Sequence, residues 1–344
     1  MATQFKKSAC FSDIHFGRKN NSEQHNTDCL NFIEWFCEQV KNDPKIDHIV
    51  FLGDWFEHRN AINIQTLNIA FRAMEMLDKL NLPIYFLVGN HDLYFRYLRT
   101  THSVIFSQKF ENFNVVDEPT QIEDVMFLPY IFHEEYVTLR NQINESKVVY
   151  GHLELKGFVL TGEYNVLENG PDHTEFNKPV KIFSGHFHKR QLRDNIVYIG
   201  NTFPMDFSDA NDTDRGMMVY DYGTDTMTFT AWPDAPTFIQ TSLSKLAEGE
   251  LILPKNATVK CLADIELTLV ESNKLRESYI TSNQLREFTL EEPSSTDIIE
   301  DTDMDIGGLE LESTDNIVVN LLGRITNESK IKPEVLIDIY KGLK

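Results

Sequence analysis

The chain has 344 residues, 41% of them hydrophobic, with 32 Lys and Arg against 53 Asp and Glu for a net charge of −21. That length suits one large and one small domain. No run of 18 or more apolar residues argues for a membrane span, and "MATQFKKSACFSD" lacks the apolar stretch and cleavage site of a secretory signal, so a cytoplasmic protein is expected.

From residue 5 to about 232, strand-like runs alternate with helical patterns. "FKKSACF", "HIVFLGD", "PIYFLVGN", "VMFLPYI", "KVVYGH", "VKIFSGH" and "NIVYIGN" are short, rich in β-formers, and mostly end in Gly, Asp, Asn or His. Cys29, Phe32, Ile33, Phe36, Cys37 and Val40 lie at helical spacing between the first two runs. Ile64, Leu67, Phe71, Met74, Leu77 and Leu80 do so between the second and third. This alternation predicts a layered α/β domain over residues 1–236. Residues 237–286, with "TVKCLADIEL" strand-like and "VESNKLRESYI" helix-like, are expected to form a small second domain. Residues 287–316 read as a flexible acidic linker, since 291–315 carry ten acids and no base. Residues 317–344 turn apolar again in a helical pattern. That segment either docks on a partner or packs back on its own body. Cys10, Cys29, Cys37 and Cys261 show no CxxC spacing and read as reduced, mostly buried thiols.

The strand ends carry the chemistry. "SDIHFG" supplies Asp13 and His15, "GDWFEHR" supplies Asp54, "GNHD" supplies Asn90, His91 and Asp92, "YGHLE" supplies His152, and "SGHFHKR" supplies His186 and His188. Ligands of open α/β sheets bind at the carboxyl ends of the strands, so five loops are expected to converge on one edge. Any single motif here is an ordinary turn; the five in this order are not. Carboxylates, an amide and imidazoles without Cys suit Mn²⁺, Fe or Zn²⁺ and suit Mg²⁺ poorly. A carboxylate such as Asp54 can bridge two metals, an arrangement that hydrolyses phosphoesters.

The order D-x-H, GD, GNHD, GH, GHxH resembles that of the calcineurin-like metallophosphoesterases. "GDWFEHRNAI" and "VYIGNTFPMDFSD...RGMMVYD" are similar to the corresponding stretches of the SbcD-type DNA repair nucleases, including a phage recombination nuclease subunit. The resemblance is good over about 5–232, looser over the small domain and only architectural in the tail. It implies an αββα-type sandwich, a small α+β capping domain and a helical C-terminal tail. It also implies two divalent metal ions, Mn²⁺ by preference. One would be held by Asp13, His15, Asp54 and His188, the other by Asp54, Asn90, His152 and His186. His91 matches a histidine that assists the transition state, and Asp92 a residue that orients it. The implied activity is hydrolysis at double-strand DNA ends (3'–5' exonuclease, with endonuclease action on single strands) in recombination and break repair. The implied partners are DNA, an SbcC-type coiled-coil ABC ATPase and a second copy of the chain; a phage-encoded chain would act in the host cytoplasm. The 317–344 segment is the candidate ATPase contact.

An acidic chain needs a local means of holding DNA. Arg18 and Lys19, Arg59, Arg96 and Arg99, and Lys189, Arg190 and Arg193 each follow a metal motif. They are expected to form a positive rim around the site. Two other readings stand: a phosphatase or small-molecule phosphodiesterase on the same dinuclear fold, and a non-catalytic scaffold with structural metals.

Overall fold

The computed structural model describes residues 5–161, 165–249 and 251–291. Two six-stranded sheets pack face to face. In the first, β1 (Lys7–Phe11), β2 (His48–Phe51), β3 (Ile84–Leu87) and β6 (Phe113–Val116) run parallel. β15 (Gly216–Asp221) and β16 (Thr226–Ala231) add antiparallel on the β1 side. In the second, β8 (Val125–Tyr130), β9 (Val148–His152), β12 (Lys181–Gly185) and β14 (Ile196–Tyr198) are parallel. β7 (Thr120–Ile122) and β13 (Gln191–Arg193) close its edges antiparallel.

Alternation along each strand builds the layers. Cys10, Val50, Leu52 and Leu87 of the first sheet meet Phe127, Tyr150, Phe183 and Val197 of the second in one buried cluster. The opposite face of the first sheet, with Ala9, Phe11, Ile49, Phe51 and Phe86, packs on the helices α2 (Glu23–Asn42) and α3 (Ile64–Asp78). The outer face of the second sheet is covered by α4 (Glu135–Glu145) and neighbouring loops. Strands buried on both faces explain why their sequences read as unbroken apolar runs. The sandwich is thus helix, sheet, sheet, helix, as the resemblance implied. Short excursions decorate it: α1 (Arg18–Asn21), the hairpin β4 (Leu93–Phe95) with β5 (Leu98–His102), and β10 (Val159–Thr161) with β11 (Asn165–Val166).

Helix α2 buries the face its spacing predicts: Cys29, Phe32, Ile33, Phe36, Cys37 and Val40. Helix α3 does not. Asn63 caps it, and it buries Thr66, Ala70, Ala73, Met74 and Leu77, leaving Ile64 78%, Leu67 36% and Phe71 41% exposed. Small residues let α3 approach α2, and the Thr66 hydroxyl accepts a hydrogen bond from the Asn26 amide at 2.9 Å. Ile64, Leu67 and Phe71 face outward.

The small domain is a parallel three-stranded sheet of β17 (Thr237–Ser242), β18 (Ala257–Leu262) and β19 (Glu287–Glu291), with α5 (Leu243–Ala247) and α6 (Leu269–Asn283). Thr268 and Glu271 form a reciprocal capping box at the start of α6. Arg286 holds Asp28 of α2 through two bonds of 2.6 and 2.7 Å, tying this domain to the sandwich. The linker was expected from residue 287. Residues 287–291 instead form β19, with Phe288 inside the small core. Their glutamates flank an inward-facing aromatic, so a charged composition conceals a strand. The rest of that linker and the 317–344 segment lie outside the described residues.

Candidate metal centre

The loop residues of interest come from two sheets, not from a single sheet edge. Asp13 and His15 follow β1, Asp54 follows β2, and Asn90, His91 and Asp92 follow β3. His152 ends β9 of the second sheet, and His186 and His188 follow β12. Face-to-face stacking brings the two sets of carboxyl ends together.

The turns are sharp. Asp13 (φ 51°), His15 (φ 52°), Asp54 (φ 62°) and His186 (φ 86°) all sit in the left-handed region, at a cost of roughly 1–2 kcal/mol each. Backbone pairing between the loops offsets it: Asp13 N–H donates to Gly53 O (3.0 Å), His15 N–H to Asp54 O (3.1 Å) and Phe16 N–H to Trp55 O (2.8 Å). Two glycines make room. A Cβ at Gly53 would collide with the His152 ring, and one at Gly89 with the Asp54 carboxylate.

Donor atoms of Asp13, His15 and His188 lie within 4.8 Å of one another, as do those of Asp54, His152 and His186, and those of His15, Asp54 and His91. His15 Nε2 lies 3.1 Å from His188 Nε2 and 3.8 Å from Asp54 Oδ2. Asn90 Oδ1 lies 2.8 Å from His152 Nε2 and 2.9 Å from His186 Nδ1, while His152 Nε2 is 3.4 Å from Asp54 Oδ2. Adjacent donors of an ion with bonds of about 2.1 Å stand roughly 3 Å apart. The spacing and the hard O/N donor set therefore fit two divalent ions sharing Asp54. His152 Nδ1 faces the Leu52 carbonyl at 2.6 Å, so Nδ1 carries a hydrogen and Nε2 is the nitrogen turned toward the proposed ion.

Burial opposes charge throughout the centre, and the neighbours decide the outcome. Burial raises the Asp54 carboxyl, but the His152 charge and hydrogen bond outweigh it and hold Asp54 well below its ordinary value. Burial lowers His152, yet Asp54 and Asp13 push it up to about 9. Burial followed by the His152 charge drives His186 down to about 3. The carboxylates and imidazoles thus form one strongly interacting cluster.

His91 stands beside it, its ring edge-on to His15 at 4.9 Å between centroids. Its Nδ1 lies 2.8 Å from the backbone carbonyl of Glu57. Asp92 does not orient it, contrary to expectation. Asp92 is fully buried and accepts from the N–H groups of Gly89 (3.0 Å), Asp54, Trp55 and Phe56 (3.1 Å each). Burial and the Asp54 charge raise its carboxyl to about 7 against the pull of those amides. Asp92 is a brace between the second and third loops.

Sequence reasoning missed Glu57. Its Oε2 sits 2.9 Å from His15 Nδ1 and 3.3 Å from Arg18 Nη1, and Arg18 Nη2 reaches Asp206 at 2.7 Å. The available signal was a carboxylate inside "GDWFEHR", three residues after Asp54. The expected positive rim is also revised. Arg18 is spent on Glu57 and Asp206. Arg99 is held by Glu135 and by the carbonyls of Asp117 and Tyr130. Arg190 pairs with Asp214 and lies over the Phe229 ring, Lys19 lies over Phe238, and Arg193 donates to Gly157 O. Arg59, Arg96 and Lys189 show no ion pair among the described residues.

The sequence profile of the calcineurin-like phosphoesterases matches residues 6–190, the span that holds every one of these donors. The chain belongs to that family. It is accordingly a metal-dependent phosphoesterase with a sandwich fold. Exonuclease subunit 1 of Enterobacteria phage T4 is 28% identical over 225 residues, a match spanning 63% of this chain and 65% of that protein. Among solved structures, a dimetal phosphatase from Danio rerio aligns with TM-score 0.36 and 10% identity over 63% of this chain and 92% of its own. A nuclease MPE from Pseudomonas putida aligns with TM-score 0.32 and 14% identity over 64% and 87%.

Proposed function

We propose that the chain is the nuclease subunit of a DNA-end-processing complex, hydrolysing phosphodiester bonds with two divalent metal ions, Mn²⁺ by preference. The reading carries exonuclease action from double-strand ends and endonuclease action on single strands, in recombination and repair. The observation that carries it is His91 set beside a double donor cluster, in a phosphoesterase chain similar to a phage exonuclease subunit.

Asp13, His15, Asp54 and His188 would hold one ion, and Asp54, Asn90, His152 and His186 the other. Bound there, the ions supply charge for the phosphate and an acidified water. The protein's own contribution is positional. The Glu57 carbonyl can only accept, so His91 Nδ1 carries hydrogen and Nε2 is the atom available to the reaction. Protonated, it serves the leaving oxygen as a general acid. Asp92 fixes the loop amides from which Asp54 and His91 hang. Arg59, Arg96 and Lys189 are the cations proposed to meet DNA phosphates.

An SbcC-type ABC ATPase is the proposed partner, contacted through the 317–344 segment. A homodimer is proposed through the outward face of α3, where Ile64, Leu67 and Phe71 lie exposed and Ile105 is 50% exposed. Linear double-stranded DNA incubated with the purified chain tests the reading, with Mn²⁺ against Mg²⁺ and His91→Ser as control. The expected result is Mn²⁺-dependent loss of DNA that falls at least about 100-fold in His91→Ser. Turnover of a small phosphate monoester with no DNA hydrolysis, alone or with the ATPase, would overturn it in favour of a phosphatase.

A further inference from the structure

A cleft of about 590 Å³ opens beside the metal centre, between the β4–β5 hairpin and residues 130–135. Its walls include the rings of Tyr97, Tyr130 and Phe132. Tyr130 belongs to both places, since its ring centroid is 5.8 Å from that of His186 and 6.2 Å from that of His152. One aromatic ring therefore separates the cleft from the proposed second metal position. Tyr97 is 76% exposed at the hairpin tip, its ring centroid 5.6 Å from that of Phe95, so one face of the ring is open to solvent. The hairpin that presents it is held firmly, because Arg99 bonds Glu135 twice at 2.6 Å and lies 4.8 Å from the Phe132 centroid.

The charges decide what fits. Arg99 is neutralised by Glu135, and Arg96 is the remaining arginine on the lining. Against it stand the carboxylates of Asp117, Glu118 and Glu134. The acidic side of the cleft would repel a phosphate, which leaves Arg96 as the lining residue suited to the strand's backbone. A flat, neutral ring whose edge offers N–H donors would be stacked by the aromatics and accepted by the carboxylates.

We propose that this cleft receives an unpaired nucleobase of the strand whose phosphate lies at the metal centre. The inference rests on the nuclease reading and deepens it, for a base held in a pair cannot enter. A duplex end must first release its terminal pair, and single strands enter directly. Adenine, cytosine and guanine carry exocyclic amines for the carboxylates; thymine does not and is the weakest occupant.

Single-stranded oligonucleotides that differ only in an abasic residue placed next to the scissile phosphate test this, with the full chain and Mn²⁺. In the unmodified protein, removing the base should lower kcat/KM by about 10-fold, the size of one lost base–ring stack. In Tyr97→Ala the intact strand should already be slow, and removing the base should cost little more. Tyr97 is exposed, so the substitution spares the core. 2-Aminopurine at the same position, with Ca²⁺ replacing Mn²⁺, should be quenched by the unmodified protein and brighter with Tyr97→Ala. Hydrolysis indifferent to the missing base, or losses from base and Tyr97 that simply multiply, would overturn the cleft assignment alone. No hydrolysis of either strand would overturn the nuclease reading and this inference together.

Discussion

Glu57 and Asp92 show how two carboxylates in one site act in unlike ways. Glu57 faces the ring nitrogen of His15 that is turned away from the proposed metal, the position from which a carboxylate fixes an imidazole's orientation and raises its basicity. Burial would raise the Glu57 carboxyl, but His15 holds it down to about 2, so it is ionised. Glu57→Gln should weaken Mn²⁺ binding at the His15 position by about 10- to 100-fold in a calorimetric titration. His91 should keep its place, because the atom that holds it is the Glu57 backbone oxygen, which the substitution leaves alone. An unchanged Mn²⁺ affinity would remove Glu57 from the site. At this scale the sequence was legible where a residue type announces its chemistry. All seven proposed ligands were named from strand-end motifs, and the structure brings their donors together. It was illegible where function runs through the backbone. Nothing in "GNHD" distinguishes an Asp that braces four amides from one that braces a histidine.

Helices and loops were read well when one face sufficed, and less well when partners competed. The α2 spacing named its buried face because large apolar residues fill it. On α3, Thr66, Ala70 and Ala73 are buried for their small size, and a rule that counts large hydrophobes passes them over. The arginines failed similarly. Proximity to a motif does not say whether a carboxylate already waits, as Glu135 does for Arg99 and Asp206 for Arg18. The exposed α3 line carries its own expectation. Leu67→Glu combined with Phe71→Glu should convert a dimer to a monomer in light scattering, with the circular dichroism spectrum unchanged. A monomeric unmodified chain would rule out the α3 face as the dimer contact.

For the molecule as a whole, alternating strands and helices were legible in the residues themselves, while the two-sheet sandwich came with the resemblance alone and is what the structure has. Chain order alone does not reveal that the β8–β9–β12 group forms a second layer. The amino-edge interior has a titratable consequence of its own. His48 lies between Asp47 (2.7 Å) and the Tyr222 hydroxyl (3.2 Å), and burial lowers its pKa despite Asp47. Burial likewise takes His25 down to about 4 and lowers His102. A histidine depressed in the folded state takes up its proton first in the unfolded chain, near pH 6.5. Stability is therefore fully present at neutral pH and declines as pH falls below about 6.5 toward each folded value. Melting temperature measured from about pH 7 to 5 should drop, and His48→Gln should flatten part of that slope. A slope unaltered by the substitution would show that His48 keeps its ordinary affinity for protons.

The division of the donors between two sheets also has a consequence during synthesis. Asp13, His15, Asp54 and Asn90 leave the ribosome long before His152, and His186 and His188 come later still. The β1 strand that carries the first pair gains its antiparallel neighbour only with residues 216–221. A nascent or prematurely ended chain lacking His186 and His188 holds neither donor cluster complete. Translation itself thus leaves both proposed metal sites incomplete until most of the sandwich has been made.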